Sequence, residues 1–315
     1  MKRWQRVGRR ALRIGIPVGV VGTAAVVAFR NRATLASLAD LPLHLIFLVA
    51  VLTTVAFFIN STEFFLLYRS VGLNITNLQH WLLYSVGQLG NYLPGQVGTL
   101  YRVQYLKKNH GLDLLKSAAV YGTNFLLSLT TAGVFFLLSF IFTLFDSSEM
   151  KFPILVIGVG FLLLSLALLK IDLSVLLPFK GLSKYVSKFD SGRHQILEHK
   201  STSVLVLSLE IARLLLGSLR MMLLFSFFGI GANVDLALWL TPLGSLTTFV
   251  ALTPGGLGLR ELVIGVSAGI GGDSFGEALA VATSERAINL PLAVTFGLLA
   301  FFRLRAVRKN PIDSG

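Results

Sequence analysis

The sequence predicts an all-α polytopic membrane protein with about six full transmembrane helices and two re-entrant helical hairpins in an inverted repeat. Three observations lead to this prediction. Hydrophobic residues make up 54% of the 315 residues and charged residues only 14%, a composition too apolar for a soluble domain of this length. Apolar stretches of membrane-spanning length recur along the chain. Two copies of one Pro-Gly motif, starting at Pro94 and Pro254, lie 160 residues apart in hydrophobic surroundings.

The apolar stretches define the full crossings. Six of them are uninterrupted and long enough to cross a hydrocarbon core of about 30 Å. They cover approximately residues 13–29, 45–68, 117–145, 153–170, 203–228 and 278–302. The first follows a basic segment and lacks a clear small-x-small cleavage site, while Arg30 and Arg32 lie at its end. We therefore interpret it as a signal anchor and not as a cleaved signal peptide.

The two Pro-Gly motifs interrupt two further apolar regions, about 80–107 and 237–270. Their sequences are Pro94-Gly95-Gln96-Val97-Gly98 and Pro254-Gly255-Gly256-Leu257-Gly258. Proline and glycine are disfavoured inside helices, so each motif divides its region into arms of roughly 13 to 17 residues, which reach only about 20 to 25 Å. Each region is therefore predicted to re-enter on its own side. The alternative is a surface turn between short transmembrane helices.

The basic residues predict the sidedness. In the six-span arrangement the N-terminus, the segments 102–116 and 170–201, and the tail after 302 fall on one face, and all are rich in Lys and Arg. The opposite face receives mainly acidic residues, with Arg30 and Arg32 as exceptions. The positive-inside rule then places both termini in the cytoplasm. We predict that the protein lies in the cell (inner) membrane. Hairpins that crossed fully would give the same sidedness.

These assignments divide the chain into three parts. A basic cytoplasmic N-terminus covers 1–12, a single transmembrane domain covers 13–305, and a cytoplasmic tail covers 306–315. Within the domain, one repeat spans about 45–145 and the other about 203–302. The intervening span 153–170 inverts the second repeat relative to the first, so the two hairpin tips are expected to approach each other near the midplane.

Ionisable residues inside the predicted spans are candidates for a polar interior, because they are costly at membrane depth. They are Glu63, Arg102, Glu210, Arg213, Arg220, Arg260, Glu261, Glu285 and Arg286. Arg260 and Glu261 directly follow the second motif, where freed amides and a helix N-terminus suit a phosphate group. The alternatives are an internal Arg–Glu bridge there, a structural Glu210–Arg213 pair, and a plain interhelical salt bridge at Glu285 and Arg286.

Composition also excludes several classes. The chain has no cysteine, and its five histidines lack metal-ligand spacing, so we predict no metal site and no cofactor. The net charge of +13 is assigned to topology and anionic-lipid contact and not to nucleic acid, because the basic residues cluster at span ends. No GxxxxGK[ST] loop is present, which excludes direct use of ATP.

The stretch Pro254-Gly255-Gly256-Leu257-Gly258-Leu259-Arg260-Glu261 resembles the second signature of the lysylphosphatidylglycerol synthase transmembrane-region family, also called flippase-like proteins. The first signature corresponds to Leu93–Gly98 with Arg102 downstream, and Glu285-Arg286 with Pro291 and Gly297 resembles the closing segment. Gln96 and Thr99 stand where family members often carry a basic and an acidic residue, which shifts the expected charge chemistry toward Arg260 and Glu261. The resemblance covers about residues 12–305 and implies the membrane part without the synthase domain.

The resemblance implies a non-enzymatic lipid transporter that moves an anionic phospholipid or a polyprenyl-phosphate-linked lipid between leaflets. The expected substrate-binding residues are Arg260, Glu261, Arg102, Pro94, Gly95, Gly98, Pro254, Gly255, Gly256, Gly258, Glu285 and Arg286. The expected partners are membrane lipids. Two alternatives stay open: a membrane-embedded transferase that uses a lipid-linked donor, and a non-transporting scaffold that binds envelope-synthesis proteins.

Overall fold

The computed structural model describes residues 40–93, 96–144, 151–172, 183–229, 234–249, 259–270, 272 and 275–309. Over these residues the regular structure is helical throughout, which confirms the predicted all-α class. The α-helices are α1 (Leu43–Ser70), α2 (Asn77–Asn91), α3 (Val97–His110), α4 (Leu114–Thr143), α5 (Lys151–Lys170), α6 (Ser183–Glu198), α7 (Lys200–Phe228), α8 (Val234–Leu246), α9 (Leu259–Ile270) and α10 (Phe275–Lys309). A 3₁₀ turn, Thr247–Phe249, follows α8.

Five of the described helices, α1, α4, α5, α7 and α10, are long and apolar enough to cross a membrane. They coincide with five of the six predicted crossings, and their ends differ from the predicted ones by a few residues. The remaining predicted crossing, 13–29, lies outside the described residues. The chain is therefore a polytopic, all-α membrane protein, as predicted.

Short polar segments end these helices and start the next ones. The Thr76 hydroxyl accepts a hydrogen bond from the backbone N–H of Gln79 and caps α2. The Asp113 carboxylate caps α4 by accepting from the N–H of Leu115 at 3.0 Å, and this hydrogen bond, with a further one from Lys188, lowers the pKa of Asp113. Each cap satisfies a backbone donor that a helix start leaves open.

Two pairs of short helices replace the two interrupted apolar regions. Helices α2 and α3 have 15 and 14 residues, and α8 and α9 have 13 and 12. At a rise of 1.5 Å per residue, none is longer than about 23 Å, which is less than the hydrocarbon core. The motif residues Pro94, Gly95, Pro254, Gly255, Gly256 and Gly258 lie outside the described residues. Re-entry of the two pairs on their own sides stays a prediction.

In the two predicted repeat units, α1–α4 and α7–α10, helices of one unit pack against helices of the other. The first short helix of each unit packs extensively against the last helix of the other, so that α2 lies on α10 and α8 lies on α4, while α1 and α7 pack on each other. The corresponding residues Gly72 and Gly229 both follow the first helix of their unit and both have φ of 86°. Such exchange is expected of two units related by a pseudo-two-fold axis.

The helix pair α2–α3 depends on glycine at its crossing. A Cβ atom on Gly98 would lie 1.7 Å from the carbonyl oxygen of Gly87, and one on Gly90 would lie 2.6 Å from the Cα atom of Gly98. Small residues allow membrane helices to approach to this degree. Gly98, predicted as a binding residue, therefore holds the two arms of the first short-helix pair together.

We expect Gly98→Ala to destabilise the protein by about 1–3 kcal/mol, because the added methyl group must push α3 away from α2. The matched control is Gly160→Ala in α5, since no atom lies within 4 Å of a Cβ at that exposed position. Alanine there is expected to be neutral or to stabilise by about 0.5–1 kcal/mol. Thermal unfolding of the two variants in detergent measures the difference, and equal melting temperatures would contradict the packing argument.

One helix was not predicted. The segment 170–201 reads as a polar loop, whereas the structure forms α6 within it, packed against α4. The side chain of Arg193 is fully buried there, donates to the carbonyl oxygens of Leu168 and Ile171, and salt-bridges Asp172 and Asp190 at 3.2 Å. Hydrogen bonds from His194 and Arg193 lower the pKa of Asp172. Polarity alone would place Arg193 in solvent. In the structure Arg193 is buried, and its contacts with residues at the end of α5 connect α6 to that helix.

Candidate functional site

A cavity of about 580 Å³ lies between the two repeat units, and all eight of their helices contribute to its wall. Its lining is unusually polar for a chain with an apolar exterior. Asparagine, glutamine, serine and threonine side chains lie beside five arginines, which are Arg102, Arg213, Arg220, Arg260 and Arg286. Glu285 is the carboxylate among the described lining residues.

Glu285 of α10 joins three helices. Its Oε2 accepts from Arg260 Nη2 of α9 at 2.5 Å, and its Oε1 lies 2.9 Å from Arg220 Nη2 of α7. Arg220 also donates to the Thr53 hydroxyl of α1 at 2.7 Å. The carboxylate is almost fully buried, so its charge is neutralised by two guanidinium groups from separate helices and not by solvent.

Glu261 and Arg286 form another interhelical salt bridge, with 2.8 Å between Oε1 and Nε. The sequence allows a salt bridge between Arg260 and Glu261 within the second short-helix pair. The structure directs them to different partners on α10, because consecutive residues of a helix do not face each other. The interhelical alternative for Glu285 and Arg286 is therefore the arrangement that the structure shows.

The predicted pair on α7 is also present. Arg213 donates to both carboxylate oxygens of Glu210, at 2.5 and 3.1 Å. Arg213 Nε additionally lies 3.6 Å from Glu63 Oε1 of α1. Glu63 and Glu210 are both buried, so one guanidinium serves two carboxylates behind the cavity wall.

Arg102 differs from the other four arginines in its surroundings. Its Nε donates to the Tyr121 hydroxyl at 2.6 Å, and its guanidinium carbon lies 4.6, 5.1 and 5.0 Å from the ring centroids of Phe64, Tyr84 and Tyr121. Among the residues that the structure describes, no carboxylate lies within salt-bridge distance, and its Nη1 has no hydrogen-bond partner. Cation–π contacts stabilise the charge without neutralising it.

Described residues at the ends of the two short-helix pairs contact each other beside the cavity. Gln96, at the N-terminus of α3 with φ of 51°, directs its side-chain amide toward the carbonyl oxygen of Thr248 at 3.4 Å. Thr99 is held within its own pair, since its N–H and hydroxyl donate to Asn91 Oδ1 at 2.8 and 3.1 Å. The two positions that depart from the family pattern thus make neutral contacts.

The structure gathers Arg102, Arg260, Glu285 and Arg286 around the one cavity and places Glu261 against Arg286. Of the other predicted site residues, Gly98 lies at the α2–α3 crossing and the rest lie outside the described residues. Sequence reasoning gave Arg213 and Arg220 no binding role, although their position within an apolar span was a usable signal. The aromatic rings around Arg102 carried no signal, because aromatic residues are frequent in membrane helices.

The family model described as Lysylphosphatidylglycerol synthase TM region matches residues 12–297. Neither the curated proteins nor the solved structures contain a match to the chain.

Proposed function

Because the chain belongs to the lysylphosphatidylglycerol synthase TM region family, and is therefore a multi-pass membrane protein related to lipid handling, we propose that it moves an anionic lipid between membrane leaflets. The substrate class is an anionic phospholipid or a polyprenyl-phosphate-linked lipid. The headgroup passes through the arginine-lined cavity while the acyl or prenyl chains stay in the bilayer.

The observation that carries this proposal is the excess of positive charge at the cavity. Five arginines line it, and four glutamates, Glu63, Glu210, Glu261 and Glu285, form salt bridges with four of them. Arg102 is the arginine left without a carboxylate among the described residues. A phosphodiester carries one negative charge, and the guanidinium fork binds it through two parallel hydrogen bonds.

The arrangement of the helices supports translocation and not only binding. The cavity lies where two pairs of short helices from opposite units meet, and transporters of inverted-repeat type place their substrate sites at such interfaces. The exchange of contacts between the units supports the inverted orientation. Broken backbone at membrane depth is tolerated where it faces protein or a polar cavity, and described residues of both short-helix pairs line such a cavity. We further propose an inner-membrane location with both termini in the cytoplasm, from the distribution of basic residues.

Leaflet exchange in vesicles tests the proposal. Purified protein is reconstituted into liposomes that contain trace phosphatidylglycerol labelled on an acyl chain, and a membrane-impermeant reagent reports the label in the outer leaflet over time. We expect the protein to accelerate exchange of the anionic lipid more than exchange of equally labelled phosphatidylcholine, because the cavity presents excess positive charge. Acceleration of neither labelled phospholipid, nor of a lipid-linked sugar in the same assay, would contradict the proposed function.

The lipid that stays bound through purification identifies the substrate more closely. We expect mass spectrometry of the purified protein to show an enriched anionic lipid, and Arg260→Ala to reduce that enrichment, because the substitution leaves Glu285 with one guanidinium fewer beside the cavity. Equal lipid profiles for the two proteins would contradict a role of Arg260 in the site.

A further inference from the structure

We propose that Glu63 and Glu210 form a proton-binding site behind the cavity, and that this site couples binding of the lipid anion to uptake of one proton. The inference rests on the proposed function and assigns it an ion. Its structural basis is a pair of buried carboxylates that share Arg213, a residue of the cavity wall.

Glu63 is the less satisfied of the two carboxylates. Its side chain is 0% exposed, and neither of its oxygens has a hydrogen-bond partner among the described residues. Its contact with Arg213 is 3.6 Å long, whereas Glu210 receives two hydrogen bonds from the same guanidinium. Arg213 therefore compensates mainly the negative charge of Glu210, and a negative charge on Glu63 would be compensated only weakly.

The balance of charges around Glu63 favours the binding of one proton. Arg213 and Glu210 of α7 and Tyr84 of α2 interact with it electrostatically. Three other helices that pack against α1 carry charged or titratable side chains whose partners lie away from Glu63. Tyr121 of α4 accepts from Arg102, and Glu285 of α10 pairs with Arg220 and Arg260. Arg193 of α6 pairs with Asp172 and Asp190. Against one guanidinium, two adjacent carboxylates can bind one proton between them, because ionising both like charges is costly in a buried site.

The crossing of α1 and α7 explains why the two carboxylates are adjacent. An offset of 157 residues relates the first helices of the two units, and it pairs Thr53 with Glu210 and Glu63 with Arg220. On one side of the crossing, Arg220 donates to Thr53 at 2.7 Å. The corresponding contact on the other side brings Glu63 to Glu210. The two equivalent positions of this helix crossing thus hold different groups. Arg220 and Thr53 lie at one position, and Glu63 and Glu210 lie at the other.

Arg213 connects this acid pair to the cavity. A phosphate that accepts hydrogen bonds from Arg213 draws the guanidinium away from the carboxylates, which then bind a proton more tightly. By reciprocity of linked binding, protonation of the Glu63–Glu210 pair weakens its attraction for Arg213 and favours binding of the phosphate. The lipid anion and the proton therefore bind together, and acid on one side of the membrane favours loading of the lipid from that side.

An imposed pH gradient tests the coupling in the reconstituted protein. The membrane potential is clamped with potassium and valinomycin, and the steady-state leaflet ratio of labelled phosphatidylglycerol is measured. We expect lipid to leave the acidic side, with one pH unit shifting the ratio by up to about tenfold for one-to-one coupling. Glu63→Gln is expected to give a ratio independent of the gradient, while Glu277→Gln, at an exposed position on α10, keeps the dependence. A wild-type ratio indifferent to the gradient would overturn the coupling.

Infrared spectroscopy tests the proton site without transport. We expect addition of phosphatidylglycerol to the wild type at neutral pH to increase the carbonyl stretch of a protonated, buried carboxylic acid, and Glu63→Gln to lose that increase. Glu210→Gln serves as a second variant if Glu63→Gln does not fold, and it is expected to change the same band. Identical bands in wild type and folded variants would overturn the site. Absence of any lipid exchange would instead overturn the proposed function.

Discussion

Arg102→Gln is expected to slow the leaflet exchange of anionic phospholipid by about 10- to 150-fold. The estimate follows from a hydrogen bond to a charged group, which contributes about 1.5–3 kcal/mol. Arg102 lies in the cavity wall without a carboxylate partner among the described residues, so no described acid neutralises the charge that a phosphate would meet. Its Nε and Nη2 donate to the Tyr121 hydroxyl, and its Nη1 has no hydrogen-bond partner among the described residues. Glutamine is smaller than arginine and keeps two N–H donors, but it carries no charge. The exchange assay in liposomes measures the effect.

Two further variants separate charge, shape and general damage. Arg102→Lys keeps the charge but loses the planar fork that lies among three aromatic rings, so we expect an intermediate rate. Arg303→Gln removes an exposed arginine of α10 and is expected to leave the rate near that of the wild type. If Arg102→Gln protein folded normally and exchanged lipid at the wild-type rate, Arg102 would not be the phosphate ligand.

Glu285→Gln is expected to destabilise the protein by about 3–5 kcal/mol, the largest loss of stability that we expect from a single substitution. Removing one partner of a buried ion pair leaves an uncompensated charge, and here the substitution affects both Arg220 and Arg260. The bridge also holds α7, α9 and α10 together. Denaturant or thermal unfolding in detergent measures the loss.

The control for this prediction is Glu277→Gln on the same helix. Glu277 lies at an exposed position in the first turn of α10, where the same chemical change is expected to alter stability by less than about 1 kcal/mol. Equal destabilisation by the two substitutions would show that Glu285 owes its effect to something other than its buried salt bridges.

The membrane-spanning helices could be predicted closely, because crossing a bilayer requires a minimum length of apolar sequence and the sequence displays that length directly. The predicted span 45–68 became Leu43–Ser70, for example. The short arms were equally accessible, since Pro and Gly interrupt a helix wherever they cluster. These properties depend on neighbouring residues and need no knowledge of distant ones.

The charge pairs could not be predicted from neighbours. Arg260 and Glu261 are adjacent in sequence but bind different residues of α10, because the direction of a side chain depends on the helix face and on what packs there. Arg102 was expected to matter less than Arg260, since the first motif lacks the usual charges. Three aromatic rings and no described acid surround Arg102, and the rings come from α1, α2 and α4, which its neighbours in sequence do not reveal.

The contact between Gln96 and Thr248 joins the two short-helix pairs by a single hydrogen bond. A neutral hydrogen bond contributes about 0.5–1.5 kcal/mol net, and this one is long at 3.4 Å. A single hydrogen bond of that strength breaks and re-forms spontaneously at ambient temperature. A basic residue at position 96 would add a positive charge where glutamine makes only a neutral contact. With glutamine there, this contact contributes little to holding the two short-helix pairs together, and the helix packing between the two units supplies most of the cohesion.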